Sequence, residues 1–276
     1  MYGLAARADA PIAHLLARIT LLTDFGTQDG YVGVMKGVIA TIFPGVTIDD
    51  VSHSIEPGDL TGAGRVLARY WKRYPPGSTH VVVVDPGVGT ERRAIAVEAE
   101  GRFIVAPDNG VVSRVLDLCQ DASIVSLENP EFLLVTRSST FHGRDVFAPA
   151  AAFLASGVQL CRMGPAVAQP VRIEEPASIV EAGVMVGQVV ALDRFGNLLT
   201  NLAGSSVTEG SGVEVDGRTV QVVSSYQDIP PESVGAIVNS DGFVEVAARD
   251  TPAAAILNAG LGTPVRIPDP VELPDL

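Results

Sequence analysis

The 276-residue chain has little cysteine, few aromatic side chains and a deficit of positive charge. Its two cysteines, Cys119 and Cys161, belong to no Cys-x-x-Cys or Cys/His cluster. We therefore expect small buried hydrophobic side chains in a reducing compartment, and neither a disulfide framework nor a zinc site. Lys and Arg number 19 against 32 Asp and Glu, a net charge of −13. This balance argues against nucleic acid or an anionic membrane as a partner, because both require a basic face.

Long hydrophobic runs are also missing. The uncharged run at residues 146–161 contains Pro149 and Gly157 and is too short to span a bilayer. Residues 1–18 carry charges and no sustained apolar stretch, so they predict an N-terminal extension and no secretory signal. We expect a soluble, cytoplasmic protein.

Aliphatic side chains are abundant, since 47% of the residues are hydrophobic while only 5% are aromatic. Between residues 19 and 173, short apolar strands alternate with helical stripes, which is typical of βαβ units. The predicted strands cover residues 19–22, 46–48, 80–84, 94–97, 103–105 and 132–135. The predicted helices cover residues 31–42, with Asp29 as N-cap, then 59–74, 111–118 and an Ala-rich stretch to about 156. The fold class predicted here is α/β, with a mostly parallel sheet.

The pattern changes after residue 173. Residues 174–183 are rich in Glu, Ala and Pro and predict a linker. Beyond it, two stretches with alternating apolar residues turn at Asp216-Gly217 and at Asp241-Gly242, a strong hairpin signal. Residues 184–276 therefore predict a smaller all-β domain, barrel-like or sandwich-like.

The stretch from His80 to Arg93 organises the first domain. Four consecutive valines predict a strand buried on both faces, and a Pro-Gly turn follows. In an open α/β sheet, ligands bind beyond the carboxyl ends of the strands, where Asp85 stands. We interpret Asp85 and Arg92 as part of an active site. The alternative is that Asp85 simply begins a turn, as Asp does in many proteins.

Other polar groups also follow predicted strands or precede helices. They are Asp24, Asp108-Asn109, and His142 with Arg144-Asp145. A carboxylate, a guanidinium and an imidazole together suit proton abstraction from water. None of the four histidines forms a metal-ligand pair, and no Walker loop or nucleophile elbow occurs, so we expect no catalytic metal. Taken singly, residues of these types are more often structural, and a lone histidine such as His142 is most often a hydrogen-bonded turn residue.

Five motifs occur in a fixed order along the chain: 23-TDFG-26, 85-DPGVGT-90, 106-APDNG-110, 140-TFHGRD-145 and Asp193-x-Phe195-Gly196-Asn197-x-x-Thr200-Asn201. With them, the chain resembles the S-adenosyl-L-methionine (SAM) hydroxide adenosyltransferase family, relatives of the fluorinase and chlorinase, from about residue 19 to 267. The resemblance implies hydrolysis of SAM to adenosine and L-methionine, with SAM as substrate and no cofactor. It also implies a homotrimer whose sites lie between the N-terminal domain of one subunit and the C-terminal domain of its neighbour.

The resemblance implies a catalytic triad of Asp85, Arg92 and His142. The fluorinase has Tyr where this chain has Asp85, Tyr-Ser where it has His142-Gly143, and a long insertion after the Gly-rich turn. Halide transfer is therefore disfavoured. A binding module that senses adenosine or SAM without turning it over is the alternative from another class.

The substrate-binding positions are carried over by the same resemblance. Asp24 matches the carboxylate that holds the ribose hydroxyls, Asn197 the group that reads the adenine edge with Phe195 beside it, and Asp193 the partner of the methionine ammonium. Ser240 matches a residue near the methionine carboxylate, and Glu245 and Ala248 are further implied positions. Two departures are Asp241, where the halogenase has Arg, and Gly58, where the fluorinase has Trp. Because Asp241 cannot pair with a carboxylate, we expect backbone N–H groups to hold the methionine carboxylate.

Overall fold

The computed structural model describes residues 17–268, so most of the predicted extension lies outside the described residues. Arg18, assigned to that extension from the sequence, already begins the first strand. The chain divides into two compact units between Glu174 and Glu175. Every helix between residues 17 and 268 is too short or too polar to span a bilayer.

The first unit is an α/β structure built on a six-stranded sheet. Its strands are β1 (Arg18–Thr23), β2 (Thr47–Ser52), β3 (Thr79–Val83), β4 (Ala94–Ala99), β5 (Arg102–Pro107) and β6 (Ala122–Ser126). Its helices are α1 (Tyr31–Ile42), α2 (Leu60–Tyr70), α3 (Ser113–Leu118) and α4 (Ala148–Ala155). A 3₁₀ turn, Trp71–Arg73, extends α2, and a π-helical turn, Gly143–Phe147, leads into α4.

The strand order is β2-β1-β3-β5-β4-β6. Strands β2, β1, β3 and β5 pair in parallel, whereas β4 pairs antiparallel with both β5 and β6. Only β4 therefore runs against the direction of the others, which agrees with the predicted mostly parallel sheet.

The sheet is covered on both faces. Alternate residues of β3 enter two separate apolar clusters: Val81 and Val83 pack with α1 and α4, while Val82 packs with α2 and α3. All of them are buried, as the run of valines predicts. The resulting sandwich leaves the ends of the strands as the accessible edge of the sheet.

Three local predictions were wrong. The N-cap of α1 is Gly30, in a left-handed conformation, and not Asp29. Residues 132–135 form no strand: Pro130–Phe132 is a 3₁₀ turn, and Val135 is 92% exposed. The strand that was missed, β6, is a partly exposed edge strand with only a weak apolar pattern. Short apolar runs do not by themselves distinguish strands from buried loops.

The second unit is an antiparallel β structure. Its strands are β7 (Ile179–Glu181), β8 (Val184–Leu192), β9 (Leu198–Ala203), β10 (Gly212–Val215), β11 (Arg218–Gln221), β12 (Val234–Val238), β13 (Phe243–Ala248) and β14 (Pro264–Ile267). One short helix, α5 (Ala253–Leu257), precedes β14. Both predicted hairpins form, β10–β11 and β12–β13. A bridge between Val222 and Ala236 brings the two ends of the sheet together, so the unit is a nearly closed barrel, as predicted.

The two cysteines differ from the expectation of buried side chains. Both are free thiols, but Cys161 is exposed and Cys119 is half-buried. Cys161 lies in the 3₁₀ turn Leu160–Arg162, in which Leu160 is the residue that packs into the core.

Candidate active site

The carboxyl ends of β1 and β3 form the topological switch point of the first unit. After β1 the chain crosses to β2 on one side, and it then returns to β3 on the other side of β1. Thr23 and Val83 face each other at the ends of these two strands. Asp24 follows Thr23 directly, and Asp85 comes two residues after Val83. This is the place where open α/β sheets bind their ligands.

Asp85, Arg92 and His142 meet in one hydrogen-bonded cluster. The Nε of Arg92 donates to Oδ1 of Asp85 at 2.9 Å, and its Nη2 donates to Oδ2. The same Nη2 lies 2.8 Å from Nδ1 of His142. The side chains of Asp85 and Arg92 are 5% and 10% exposed, so this is a bidentate and largely buried ion pair. Three residues up to 57 positions apart in sequence thus share one site.

The hydrogen bonds assign the tautomer of His142. Burial lowers the pKa of His142, and the nearby Arg92 cation lowers it further, against the opposing effect of Asp85. A guanidinium has N–H donors and no acceptor, so Nδ1 of His142 accepts from Arg92. The neutral imidazole therefore carries its proton on Nε2, which is left as a donor.

The local sequence explains how Arg92 returns toward Asp85. Two successive turns fold residues 85–90: Val88 N–H donates to the carbonyl of Asp85, and Thr90 N–H donates to that of Gly87. Gly89 has a φ of +81°, and a Cβ there would lie 2.7 Å from the carbonyl oxygen of Ser139. Only glycine allows this close approach between the turn and the segment before His142. The guanidinium of Arg92 also lies over the ring of Phe147, 5.4 Å from its centroid.

Two residues, Gly58 and Pro86, link Asp24 to this cluster. Its Oδ2 accepts a hydrogen bond from the Gly58 N–H at 3.0 Å. A Cβ on Gly58 would stand 3.9 Å from Cβ of Pro86, the residue after Asp85. The turn at Asp24 is held by His53: its Nδ1 lies 2.9 Å from Oγ1 of Thr23, and its carbonyl accepts from the Gly26 N–H.

Aromatic side chains surround the Asp24 turn. The rings of Phe25, Tyr31 and Phe141 pack edge to face, with centroids 5.2–6.1 Å apart. The guanidinium of Arg144 lies over the ring of Phe141 and pairs with the buried carboxylate of Asp145, which also accepts from the Ser138 N–H at 2.7 Å. The Arg144-Asp145 pair therefore holds the segment that carries His142.

Sequence reasoning did not single out Phe147, Arg93 or His53, all of which contact the cluster or its supports. Phe147 is fully buried beside α4 and looked like an ordinary core residue. His53 offered the better signal, because it follows β2 and lies at the same edge of the sheet as Asp24.

The second unit holds the other predicted residues. Oδ1 of Asp193 accepts from the N–H groups of Phe195 and Asn197, and its Oδ2 accepts from Nδ2 of Asn197, all at 2.9 Å. These bonds build the loop between β8 and β9. Asn197 is buried, while Phe195 is 77% exposed at the tip. The loop thus presents an aromatic ring next to a fixed carboxylate.

Three further predicted residues, Ser240, Glu245 and Ala248, lie in β13 or in the turn before it. Glu245 is buried and accepts from the Tyr226 hydroxyl at 2.7 Å and from Nδ2 of Asn239 at 3.3 Å. Burial and this carboxylate raise the pKa of Tyr226 to about 12, so the hydroxyl remains a donor. Ala248 ends β13, and Ser240 is exposed in the turn before it.

The turn at Ser240 bears on the expected backbone recognition of a substrate carboxylate. The N–H groups of Asp241 and Phe243 donate to Oδ1 of Asn239, and that of Gly242 donates to the Asn239 carbonyl. These three donors are engaged within the turn. Among residues 17–268, no group of three or more His, Cys, Asp or Glu side chains is arranged to hold a metal ion.

Comparison with known proteins agrees with this architecture. The model of the SAM hydroxide adenosyltransferase N-terminal domain matches residues 19–164, and that of the C-terminal domain matches residues 187–266. The chain is 38% identical to an (R)-S-adenosyl-L-methionine hydrolase of Salinispora arenicola, over 90% of this chain and 97% of that protein. It is 28% identical to a fluorinase of an Actinoplanes species, over 90% and 96% of the two chains.

A solved structure of a conserved protein from Thermotoga maritima superposes with a TM-score of 0.85 at 35% identity, covering 90% of this chain and 98% of that one. The family models together cover most of the chain, in the order of its two structural units. The chain therefore belongs to the SAM hydroxide adenosyltransferase family.

Proposed function

We propose that this protein hydrolyses SAM to adenosine and L-methionine. The observation that carries the proposal is the convergence of Asp85, Arg92 and His142 at the switch point of the sheet. The relative at 38% identity is named a SAM hydrolase, whereas the fluorinase is more distant at 28%. The name of that relative specifies the (R) epimer of the sulfonium, and we extend this preference to the present chain.

The sulfonium sulfur is already a good leaving group, so no general acid is needed. The difficulty is the nucleophile. The pKa of water is about 15.7 and that of His about 6.5, so forming free hydroxide beforehand with a histidine base would cost on the order of 12 kcal/mol at 1.36 kcal/mol per unit. We propose instead that water attacks C5′ of the ribose while the C5′–S bond breaks. Its proton leaves as the new C–O bond makes the oxygen acidic.

Asp85 is the better proton acceptor of the two candidates. Nδ1 of His142 already accepts from Arg92, and Nε2 carries the proton of the neutral ring. Each oxygen of Asp85 accepts one bond from Arg92 and retains a second lone pair. In this mechanism Asp85 receives the proton, His142 donates a hydrogen bond from Nε2, and Arg92 holds both in place. Neither a metal nor a cofactor takes part.

The substrate-binding roles belong to the same proposal. Asp24 would hold the ribose hydroxyls, and Asn197 with Phe195 the adenine. Asp193, Ser240, Glu245 and Ala248 would line the remainder. We further propose a homotrimer in which each site combines the first unit of one subunit with the second unit of its neighbour.

Isotope labelling tests the reaction. The protein is incubated with resolved (R)- and (S)-SAM in H₂¹⁸O, and the products are analysed by mass spectrometry. We expect adenosine with one ¹⁸O at the 5′ position and unlabelled methionine, formed faster from the (R) epimer. Binding of SAM without turnover would support the sensor module instead. Formation of 5′-chloro-5′-deoxyadenosine in chloride buffer would support halide transfer.

Mixing two inactive variants tests the shared site. In a trimer of Asp85→Ala and Asn197→Ala chains, the intact first unit of one subunit meets the intact second unit of its neighbour. At SAM concentrations well below the KM of Asn197→Ala, co-expression should therefore restore activity that neither variant has alone. If each site were contained in one chain, every site would carry a defect and the mixture would stay inactive.

A further inference from the structure

The turn at Asp108-Asn109 contacts both ends of the loop that carries Asp85 and Arg92. β3 ends at Val83 and β4 begins at Ala94, so residues 84–93 lie outside the strands. This loop includes Gly87 and Gly89, which give it little stiffness of its own. Its two anchoring residues, Val84 and Arg93, are adjacent in sequence to the Asp85–Arg92 pair.

Asn109 holds the first end. Its Nδ2 donates to the carbonyl oxygen of Val84 at 2.9 Å, and its Oδ1 accepts from the N–H of Val111 at 3.2 Å. The first bond fixes the peptide immediately before Asp85. Because both polar ends of the amide are engaged with backbone groups, Asn109 is placed to support the site and not to contact a substrate.

Asp108 holds the second end. Its Oδ2 accepts from Nε and Nη2 of Arg93 at 2.7 and 2.6 Å, and its own N–H donates to the Arg93 carbonyl at 2.9 Å. Its Oδ1 accepts from the Val171 N–H at 2.8 Å, and the carboxylate is 1% exposed. Asp108 therefore fixes the residue immediately after Arg92 and has no exposed oxygen for a ligand.

We propose that Asp108 and Asn109 are positioning residues for the Asp85–Arg92 pair, an inference that rests on the proposed hydrolysis. Arg92 must donate to Asp85 and to His142 at the same time, which tolerates little displacement of the loop. Asp108 and Asn109 fix Val84 and Arg93 relative to β5, so the two ends of the loop are held at a fixed separation. A misplacement of about 1 Å in such a site costs up to about 10²-fold in rate.

The test replaces the donor of Asn109 while keeping its shape. Asn109→Asp retains the acceptor for Val111 but loses the bond to the Val84 carbonyl. We expect kcat for SAM to fall roughly 10- to 100-fold while KM changes less than about twofold, since only the reacting geometry is disturbed. Asp108→Asn weakens the bonds to Arg93, and its kcat should fall as well.

The chain offers a matched control. Asn129, also half-buried, donates from Nδ2 to the Arg162 carbonyl at 2.9 Å and accepts at Oδ1 from the Glu131 N–H at 3.0 Å. Asn129→Asp removes the same kind of bond, to the carbonyl of Arg162, outside the loop that carries Asp85 and Arg92. Its kcat should remain at the wild-type value, with a shift in Tm similar to that of Asn109→Asp.

A second measurement separates this inference from the proposed reaction. Ring ¹⁵N spectra of labelled histidine report whether Nδ1 of His142 accepts from Arg92. The signals should shift in Asn109→Asp and not in Asn129→Asp, whether or not SAM is turned over. Equal losses of kcat in the two variants, or unchanged His142 signals in Asn109→Asp, would overturn the positioning role. Absence of adenosine from the wild-type protein would overturn the reaction alone.

Discussion

The two units hold their polar groups in different ways. In the first, Arg92 pairs with residues 7 and 50 positions away, and Asp24 accepts from a residue 34 positions away. In the second, Asp193 binds residues only 2 and 4 positions away within its own loop. The Asp85–Arg92–His142 cluster is thus assembled by tertiary folding, whereas the loop of Asp193 is built from neighbouring residues. In the proposed function, the first cluster supplies the chemistry and the Asp193 loop supplies affinity.

Asp85→Asn should have the largest effect. The variant keeps the size of the side chain but loses the proposed proton acceptor and leaves Arg92 buried without its counter-charge. We expect kcat to fall by about 10²-fold or more, with KM nearly unchanged, as measured by adenosine formation. Asp117→Asn is the control, because Asp117 pairs with Arg172 on the surface of the same unit. Full turnover by Asp85→Asn would refute its role.

Asp193→Asn should change KM rather than kcat. The variant loses the charge that would attract the methionine ammonium. Its amide nitrogen replaces the oxygen that accepted from Nδ2 of Asn197, so two donors face each other. The loss of a hydrogen bond to a charged group corresponds to a rise in KM of about tenfold or more. Asp216→Asn, in the β10–β11 hairpin, serves as the control. A fall in kcat at constant KM would contradict the division of roles between the units.

The pH profile should show an acid limb from His142. Burial and the Arg92 cation lower its pKa from the ordinary value, which favours the neutral ring that accepts from Arg92. Protonation at lower pH removes this acceptor, so kcat/KM should fall several-fold on the acid side, with a midpoint below the ordinary histidine value of about 6.5. His142→Gln retains an acceptor but does not titrate, and the limb should disappear. A wild-type midpoint above pH 6.5 would contradict this assignment.

His80 should affect stability at low pH without changing catalysis at pH 7. Burial, reinforced by the Arg102 cation, lowers the pKa of His80 to about 3, and Nδ1 lies 2.8 Å from Oγ1 of Thr20. In the unfolded chain His80 binds a proton near pH 6.5. Its contribution to the free energy of unfolding is therefore fully present above pH 6.5 and is lost as the pH falls toward 3. At 1.36 kcal/mol per unit the decrease is on the order of several kcal/mol. Denaturant unfolding at pH 7 and pH 4 measures it, and His80→Asn should reduce the difference.

Much of the fold follows from local pattern. The valine run of β3, the stripes of α1 and α2, and the Asp-Gly turns of the second unit are signals within about a dozen residues, and each element forms. The failures also have a local cause. Phe132 and Leu133 are apolar because they are buried as a loop, while the edge strand β6 needs few apolar residues.

The sequence by itself determined the alternation of strands and helices, the change to a β pattern after about residue 173, and the presence of polar residues at strand ends. Only the tertiary structure decided that Arg92 bridges Asp85 and His142 and that the Gly58 N–H donates to Asp24. It also decided that Asp108 and Asn109 hold the two ends of the loop that carries Asp85 and Arg92. The reason is physical. Periodicity reports which face of an element is buried, whereas a contact across 15 to 50 residues depends on strand order and on the close approach that glycines permit.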